Sequence, residues 1–414
     1  MRVLTVTDSD SYVKWGAAML DRMPSTWERS LVVIRTPALP SAAQIEASLV
    51  GSSFSAPPIV DLDDLSALVV DLDPDVVVLS VRGPVVRVLV RMIVAVMPDK
   101  RPVIVSGLPG ISIPETLHAL YFRSQVDLMV LHSKREIAAF SALAERLGIT
   151  QDFGLATLPF LPTRSESSSG GDDIVFAAQA KVPRIQGERE LVLDWLVETA
   201  RRHPSRRVVL KLRGVAGEAQ THAEKHPYDR LLQARTDLPG NLEVSTASMV
   251  DHLSRAGALV TVSSTAAVEA IALGVPTLLI DDFGMSAGLI NVVFEGSGLF
   301  GSSNELMEGY FKAPNEHWLD DNYFHAPSDE TWIHEIEAAV ARREAGELRL
   351  RPQYRGTLGG SLRRIWDRKQ ALGPYDRSAA GYVALAVGLP LRGAVRRYRT
   401  LRRRAARTPS LVDG

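Results

Sequence analysis

The sequence predicts an α/β protein built from two doubly wound units that face each other, and three observations carry that expectation. Short Val/Ile/Leu-rich runs alternate with helix-like segments. The runs are apolar throughout instead of alternating with polar residues, and a Ser/Gly/Asp cluster near residue 165 splits the alternation into two series. Alternation at this spacing indicates parallel β-α-β crossovers, and continuously apolar strands suit a sheet covered on both faces.

The first series runs through 2–6 (RVLTV), 31–34 (LVVI), 76–79 (VVVL), 102–105 (PVIV) and 127–131 (DLMVL). Helix-like segments Tyr12–Arg22, Val85–Met97 and Lys134–Leu147 lie between them. TRSESSSGGDD at 163–173 has linker composition. The second series reads DIVFAA, GERELVLDWLVETARRH, RRVVLKLR, NLEVST, ALVTVSS and PTLLID. The expected organisation is a first unit at 1–162, a linker at 163–173 and a second unit at 174–345 that includes the amphipathic helix Thr331–Glu347. A helical segment at 346–376 and an apolar, then arginine-rich, tail at 377–414 complete it.

A chain of 414 residues, 46% of them hydrophobic, holds enough apolar material for two cores. With no cysteine, a disulfide framework, a thiolate metal site and a cysteine nucleophile are excluded. MRVLTVTDSD shows no secretory leader pattern, so a cytoplasmic location is expected. Ala379–Leu391 is apolar but too short to span a bilayer and contains a proline. The net charge of −1 hides an asymmetry: the stretch from Arg392 to Arg407 carries eight arginines and no acid, which leaves the rest of the chain at −9.

The stretch VTVSSTAAVEAIALGVPTLLIDD (260–282) concentrates hydroxyls and one acid between two apolar runs. Ala258–Val262 is expected as a strand and Thr265–Leu273 as a helix closed by Gly274, with Pro276 beyond it. Ser263 and Ser264 then stand at the helix start, where amide hydrogens lack intrahelical partners and attract phosphate. Glu269 follows Thr265 by one turn, on the same face, where a carboxylate can accept from a ribose diol. The plainer alternative is a capping serine and a solvated acid.

SSTAAVEAIALGVPTLLID resembles the donor-binding segment of GT-B-fold glycosyltransferases, whose fold is two Rossmann-like domains around a cleft. The Ser-Ser pair is also similar to the serine motif of bacterial sialyltransferases and related capsule-polymer transferases. Those families carry a His-Pro motif upstream, matched here by His226–Pro227, although the strand VVLKLR ends at Arg213, thirteen residues earlier. The likeness spans roughly residues 1–345. It implies a nucleotide-sugar donor bound by Lys211, Arg213, His226, Ser263, Ser264, Thr265 and Glu269, a cell-envelope or surface glycan acceptor, and no metal. Retaining enzymes commonly place a second glutamate eight positions before the helix glutamate; Thr261 stands there, so inversion is expected. Sugar 2-epimerases of this fold carry an acidic-Ser-Gly-Gly turn, against Val-Ser-Ser-Thr here. An epimerase and a catalytically inactive binding protein are the alternative functions.

Inverting transfer needs a base for the acceptor hydroxyl and positive or dipolar groups for the leaving phosphate. Asp8 and Asp10 follow the first strand and are candidate bases, with a turn or cap as their alternative role. His118 is a second candidate on an apolar helical face, where packing is the commoner role. Gly107 and Gly110 in SGLPGI would let the backbone approach an acceptor, or mark an ordinary turn at Pro109. Lys211 and Arg213 share one side of a strand and could clamp phosphate together. No His/acid cluster has metal-ligand spacing, and no cofactor beyond the donor substrate is expected. The arginine-rich tail beside Tyr382, Leu385, Val387 and Leu389 suits an anionic membrane surface and a lipid-linked acceptor better than nucleic acid or plain solvent.

Overall fold

Strands β1 (Arg2–Thr7), β2 (Glu28–Ile34), β3 (Ile59–Val60), β4 (Val76–Ser80), β5 (Val103–Gly107), β6 (Leu128–Leu131) and β7 (Asp152–Leu155) form one parallel sheet. Its order is β3-β2-β1-β4-β5-β6-β7. The crossovers are α1 (Asp10–Asp21), α2 (Ala42–Ser48), α3 (Leu62–Leu72), α4 (Gly83–Val96), α5 (Leu117–Arg123) and α6 (Lys134–Leu147). This is a computed structural model, and it describes residues 1–162, 171–180, 182–212, 225–355 and 360–388.

Continuous apolarity follows from the two covers. Successive strand residues point to opposite faces, so Leu4, Val77, Leu79, Ile104 and Met129 pack under α3, α4, α5 and α6. Val3, Val33, Val76, Val78, Val103 and Val130 pack on the other face, against α1.

The second sheet holds β8 (Asp173–Ala177), β9 (Val208–Lys211), β10 (Leu242–Ser245), β11 (Ala256–Thr261), β12 (Thr277–Ile280) and β13 (Phe300–Gly301), in the order β10-β9-β8-β11-β12-β13. Around it run α7 (Gln186–Arg202), α8 (Tyr228–Gln233), α9 (Met249–Leu253), α10 (Ala266–Ala272), α11 (Ser303–Met307) and α12 (Glu316–Asp321). Two doubly wound units are therefore present, as expected. Of the linker read at 163–173, residues 163–170 lie outside the described residues, and 171–173 lead into β8.

The boundary read at residue 345 is corrected. Helix α13 (Trp332–Glu344) lies against β5, β6 and β7 of the first sheet, not on the second unit. Trp332, Ile336, Ala339 and Val340 are buried in the first unit's core. Arg343 ties the far end down, donating to Asp75 at 2.9 Å and to the Arg101 carbonyl at 3.0 Å. Helix α14 (Gly360–Leu372) then packs on α4, with Ala371 and Leu372 buried in the first unit's other core. The cause is geometric: α1 and α2 leave the β5–β7 end of that face bare, and its valines need a cover.

Three consecutive residues at the start of α6 join the units. Lys134 pairs with Asp320 and Asp329, both at 2.8 Å. Arg135 donates to the carbonyls of Val293 at 2.9 Å and Val292 at 3.0 Å. Glu136 is fully buried and accepts from Ser112 N (2.7 Å), His132 N (2.9 Å) and the Tyr323 hydroxyl (2.9 Å). Burial pushes its carboxyl pKa up, and these three donors pull it back.

Candidate active site in the cleft

In a doubly wound sheet, ligands bind beyond the carboxyl ends of the strands where the strand order reverses. That point lies between β1 and β4 in the first sheet and between β8 and β11 in the second. The candidate residues gather at these two points, with different fates.

At the second-sheet point, β11 ends at Thr261, whose hydroxyl donates to the Ala177 carbonyl (2.9 Å) and accepts from Ser264 N (3.1 Å). Ser263 donates to Gln179 Oε1 at 2.6 Å, and Gln179 Nε2 returns a bond to the Ser263 carbonyl at 3.1 Å. Ser264 accepts from Ala266 N at 3.2 Å. Both serines are buried, so their hydroxyls shape and cap the turn. Sequence reasoning placed them at the helix start correctly but read them as ligand donors. Thr265 is exposed and makes no side-chain cap bond.

Glu269 shares the outward face of α10 with Thr265, since Ala266, Ala267, Val268, Ala270 and Ile271 are buried behind it. Its carboxylate is half-buried and has no hydrogen bond or ion pair among the described residues. Burial raises its pKa, and the one opposing influence is the Lys14 ammonium on α1 of the other unit. A partly desolvated acid without a protein partner, facing a lysine across a cleft, is a site for hydroxyl or cationic ligand groups.

At the first-sheet point, Asp8 is fully buried. Its Oδ2 accepts from Arg82 Nε at 2.8 Å and its Oδ1 from Arg82 N at 3.1 Å. Burial pushes its pKa up, and Arg82 pulls it back. With both oxygens occupied, Asp8 positions Arg82 and does not reach an acceptor hydroxyl, which corrects its reading as a base. Asp10 is exposed in the first turn of α1, one turn before Lys14 on the same face.

The remaining candidates do not join these groups. His118 is exposed on α5, stacked on Phe122 with ring centroids 6.0 Å apart. Gly107 is a packing requirement, not a backbone approach to ligand: a Cβ there would stand 2.4 Å from the Trp15 ring. Trp15 in turn donates to His132 Nε2 at 2.7 Å; burial holds His132 neutral with its pKa at about 4. Gly110 has open space where a Cβ would be. Lys211 is buried at the end of β9 and bonds to the Leu212 carbonyl. Arg213 lies outside the described residues. His226 precedes α8, and its carbonyl accepts from Arg189 Nη1 at 3.0 Å.

Sequence reasoning missed Lys14, Arg82, Gln179 and the pair Ser245–His252, bonded at 2.8 Å at the end of β10. Position just past an apolar run was the available signal for Arg82 and Gln179; Lys14 and His252 carried none. Among the described residues, no group of three or more His and acidic side chains could hold a metal ion. Two surface hollows, of about 600 Å³ beside α7 and about 690 Å³ beside α2, contain none of the candidate residues.

The fold is shared with solved structures of low sequence identity. UDP-GlcNAc 2-epimerase from Methanocaldococcus jannaschii superposes with TM-score 0.52 at 11% identity, covering 82% of this chain and 99% of that one. A protein described as a "putative UDP-N-acetylglucosamine 2-epimerase" from Listeria monocytogenes gives 0.50 at 12% identity, covering 85% and 98%. The glycotransferase of kitacinnamycin gives 0.43 at 15% identity, covering 84% and 95%. The two likenesses at TM-scores of 0.52 and 0.50 establish a shared GT-B-like fold of two α/β domains. No curated protein matches the sequence. A family model does match, over residues 3–339, which takes in both sheets and most of α13. The chain belongs to the family described as "Putative glycosyltransferase (DUF6716)".

Proposed function

We propose that this protein transfers a glycosyl group from a nucleotide-sugar, held by the second unit, to a hydroxyl of a cell-envelope or surface glycan held by the first. The observation that carries this reading is Glu269: a half-buried carboxylate at the second-sheet switch point, unpartnered among the described residues and faced by Lys14. Glu269 accepts from the donor's diol, and the phosphate lies towards Thr265 and the start of α10. Asp10 takes the proton from the acceptor hydroxyl. The acceptor oxygen then attacks the anomeric carbon from the face opposite the phosphate. The carbon–oxygen bond to phosphate breaks, its electron pair leaves on the phosphate, and the anomeric configuration inverts. Lys14 offsets the charge on that side, and no metal takes part.

The similar fold from Methanocaldococcus jannaschii is a UDP-GlcNAc 2-epimerase, so turnover of a donor without acceptor is the rival outcome. A thermal-shift panel of UDP-, GDP-, CMP- and dTDP-linked sugars tests the reading. One donor class should raise Tm in the wild type and not in Glu269→Ala. A shift retained in that variant would place the donor elsewhere. Product formation should require an added glycan and stop in Asp10→Asn.

The arginine-rich tail, which lies outside the described residues from 389 onward, brings the enzyme to anionic lipid on the cytoplasmic side. Among the described residues no helix is long and apolar enough to cross a membrane. Flotation with anionic liposomes should be lost in a chain ending at Asp376; equal flotation of both forms would rule the contact out.

A further inference from the structure

We infer that Arg82 is an anion-binding residue of the acceptor site, so that the acceptor carries a carboxylate or phosphate beside its reacting hydroxyl. This rests on the proposed transfer reaction and adds the chemical class of the acceptor. Arg82 follows β4 at the first-sheet switch point, on the side of the cleft opposite the donor residues.

One edge of its guanidinium is fully committed. Nε donates to Asp8 at 2.8 Å and Nη2 to the Thr36 hydroxyl at 3.0 Å, and both partners are completely buried. Nη1 makes no hydrogen bond among the described residues, and the side chain is 40% exposed. The fork is thus locked in direction with its outer edge open, the geometry that receives two oxygens of a carboxylate or phosphate.

A second cation lies beneath it. Arg123 is 2% exposed and bonds only to neutral groups: the Ser106 hydroxyl at 3.1 Å, the Tyr12 hydroxyl at 3.0 Å, and the carbonyls of Val81 (3.3 Å) and Ala119 (3.5 Å). Its field reaches Asp8. Among the described residues, two guanidinium groups therefore act on one carboxylate, which leaves a net positive charge at the ends of β1 and β4. A purely structural Asp–Arg pair would need neither the open edge nor the second arginine. A neutral sugar acceptor gains nothing from them.

The test uses the full chain and saturation-transfer NMR, with glucuronate, glucose 1-phosphate and methyl α-glucoside as probes. At least one of the two anions should bind, and the neutral glycoside at least tenfold more weakly. Arg82→Gln should weaken the anion at least tenfold, while Arg82→Lys, which keeps the charge but not the fork, should fall between. Binding of glucuronate alone assigns a sugar-acid carboxylate; binding of glucose 1-phosphate alone assigns a phosphate. The Asp8→Asn/Arg82→Gln double variant, which removes both charges of the pair, repeats the measurement without an unpaired Asp8 carboxylate. The inference is overturned if no anion binds, if the neutral glycoside binds as well, or if Arg82→Gln binds anions like the wild type. Nucleotide binding, measured in the same samples, should change less than twofold in Arg82→Gln. If it is lost there and kept in Glu269→Ala, Arg82 serves the donor phosphate and the donor assignment itself fails.

Discussion

The two switch points have the same topology and opposite chemistry. Both sheets run outward from their first strand and then reverse, and at both a residue after the first strand bonds to one after the fourth. In the first sheet that bond is ionic, Asp8 to Arg82, with Arg123 behind it. In the second it is neutral, Gln179 to Ser263, with the buried Arg189 guanidinium on the Gln179 carbonyl at 2.9 Å and the outward Glu269 at the rim. The first floor joins its two strands through an ion pair; the second joins them through an uncharged contact, with a buried arginine behind it and an acid at its rim. The same backbone device is thus closed by a salt bridge in one unit and by an amide–hydroxyl pair in the other.

The contrast can be broken most severely from the charged side. Arg82→Ala would leave the buried Asp8 carboxylate without its partner and should cost about 3 kcal/mol, read as a lower denaturation midpoint. Asp8→Ala should cost less, because the partly exposed Arg82 can turn to water. Equal costs would mean that the pair is not asymmetrically buried.

Next in size is ligand binding at the acid rim. Removing a charged acceptor of hydrogen bonds in Glu269→Ala should weaken nucleotide-sugar binding by about 1.5–2 kcal/mol, or roughly 10–30-fold, measured by calorimetry. An unchanged affinity would make the acid a bystander.

The uncharged Gln179–Ser263 contact should be the less costly to disturb. Ser263→Ala removes one hydrogen bond to Gln179 and should lower stability by about 1 kcal/mol. A loss as large as that of Arg82→Ala would erase the distinction between the two floors.

The smallest effect has the opposite sign. Burial raises the Glu269 pKa, so the folded chain holds that proton more tightly than the unfolded one. The stabilising contribution is complete below the unfolded carboxyl value and is lost as pH rises through the folded one. At pH 7 the group is therefore a liability, and Glu269→Gln should raise Tm of the ligand-free protein by about 1–2 °C. Near pH 4 the gain should vanish; a gain that persists there would remove desolvation as its cause.

Much of this was legible beforehand because it is local. VVVLS, VIVSG and LMVL are apolar without a break, which requires cover on both faces, and the serine turn before AAVEAIA marks a helix start whatever surrounds it. The direction in which a side chain is used is not local. Ser263 and Ser264 stand at the helix start as expected; Ser264 caps the amide of Ala266 two residues on, yet Gln179, brought in by the fold, takes the Ser263 hydroxyl. Asp8 and Asp10 look equivalent in TDSD; one is sealed against Arg82 and the other is exposed on α1. SKRE reads as an ordinary helix start, while its three charged residues hold the two units together.

By itself the sequence determined two doubly wound units, ten of their thirteen strands (all but β3, β7 and β13) and the turn that places Glu269. These follow from periodicity, turn chemistry and composition, which act over a few residues. Only the tertiary structure decided that α13 covers the first sheet, that Lys14 faces Glu269, and that Arg82 is locked by Asp8 with one edge open. Those outcomes depend on which distant surfaces need covering and which charges meet once water has been excluded.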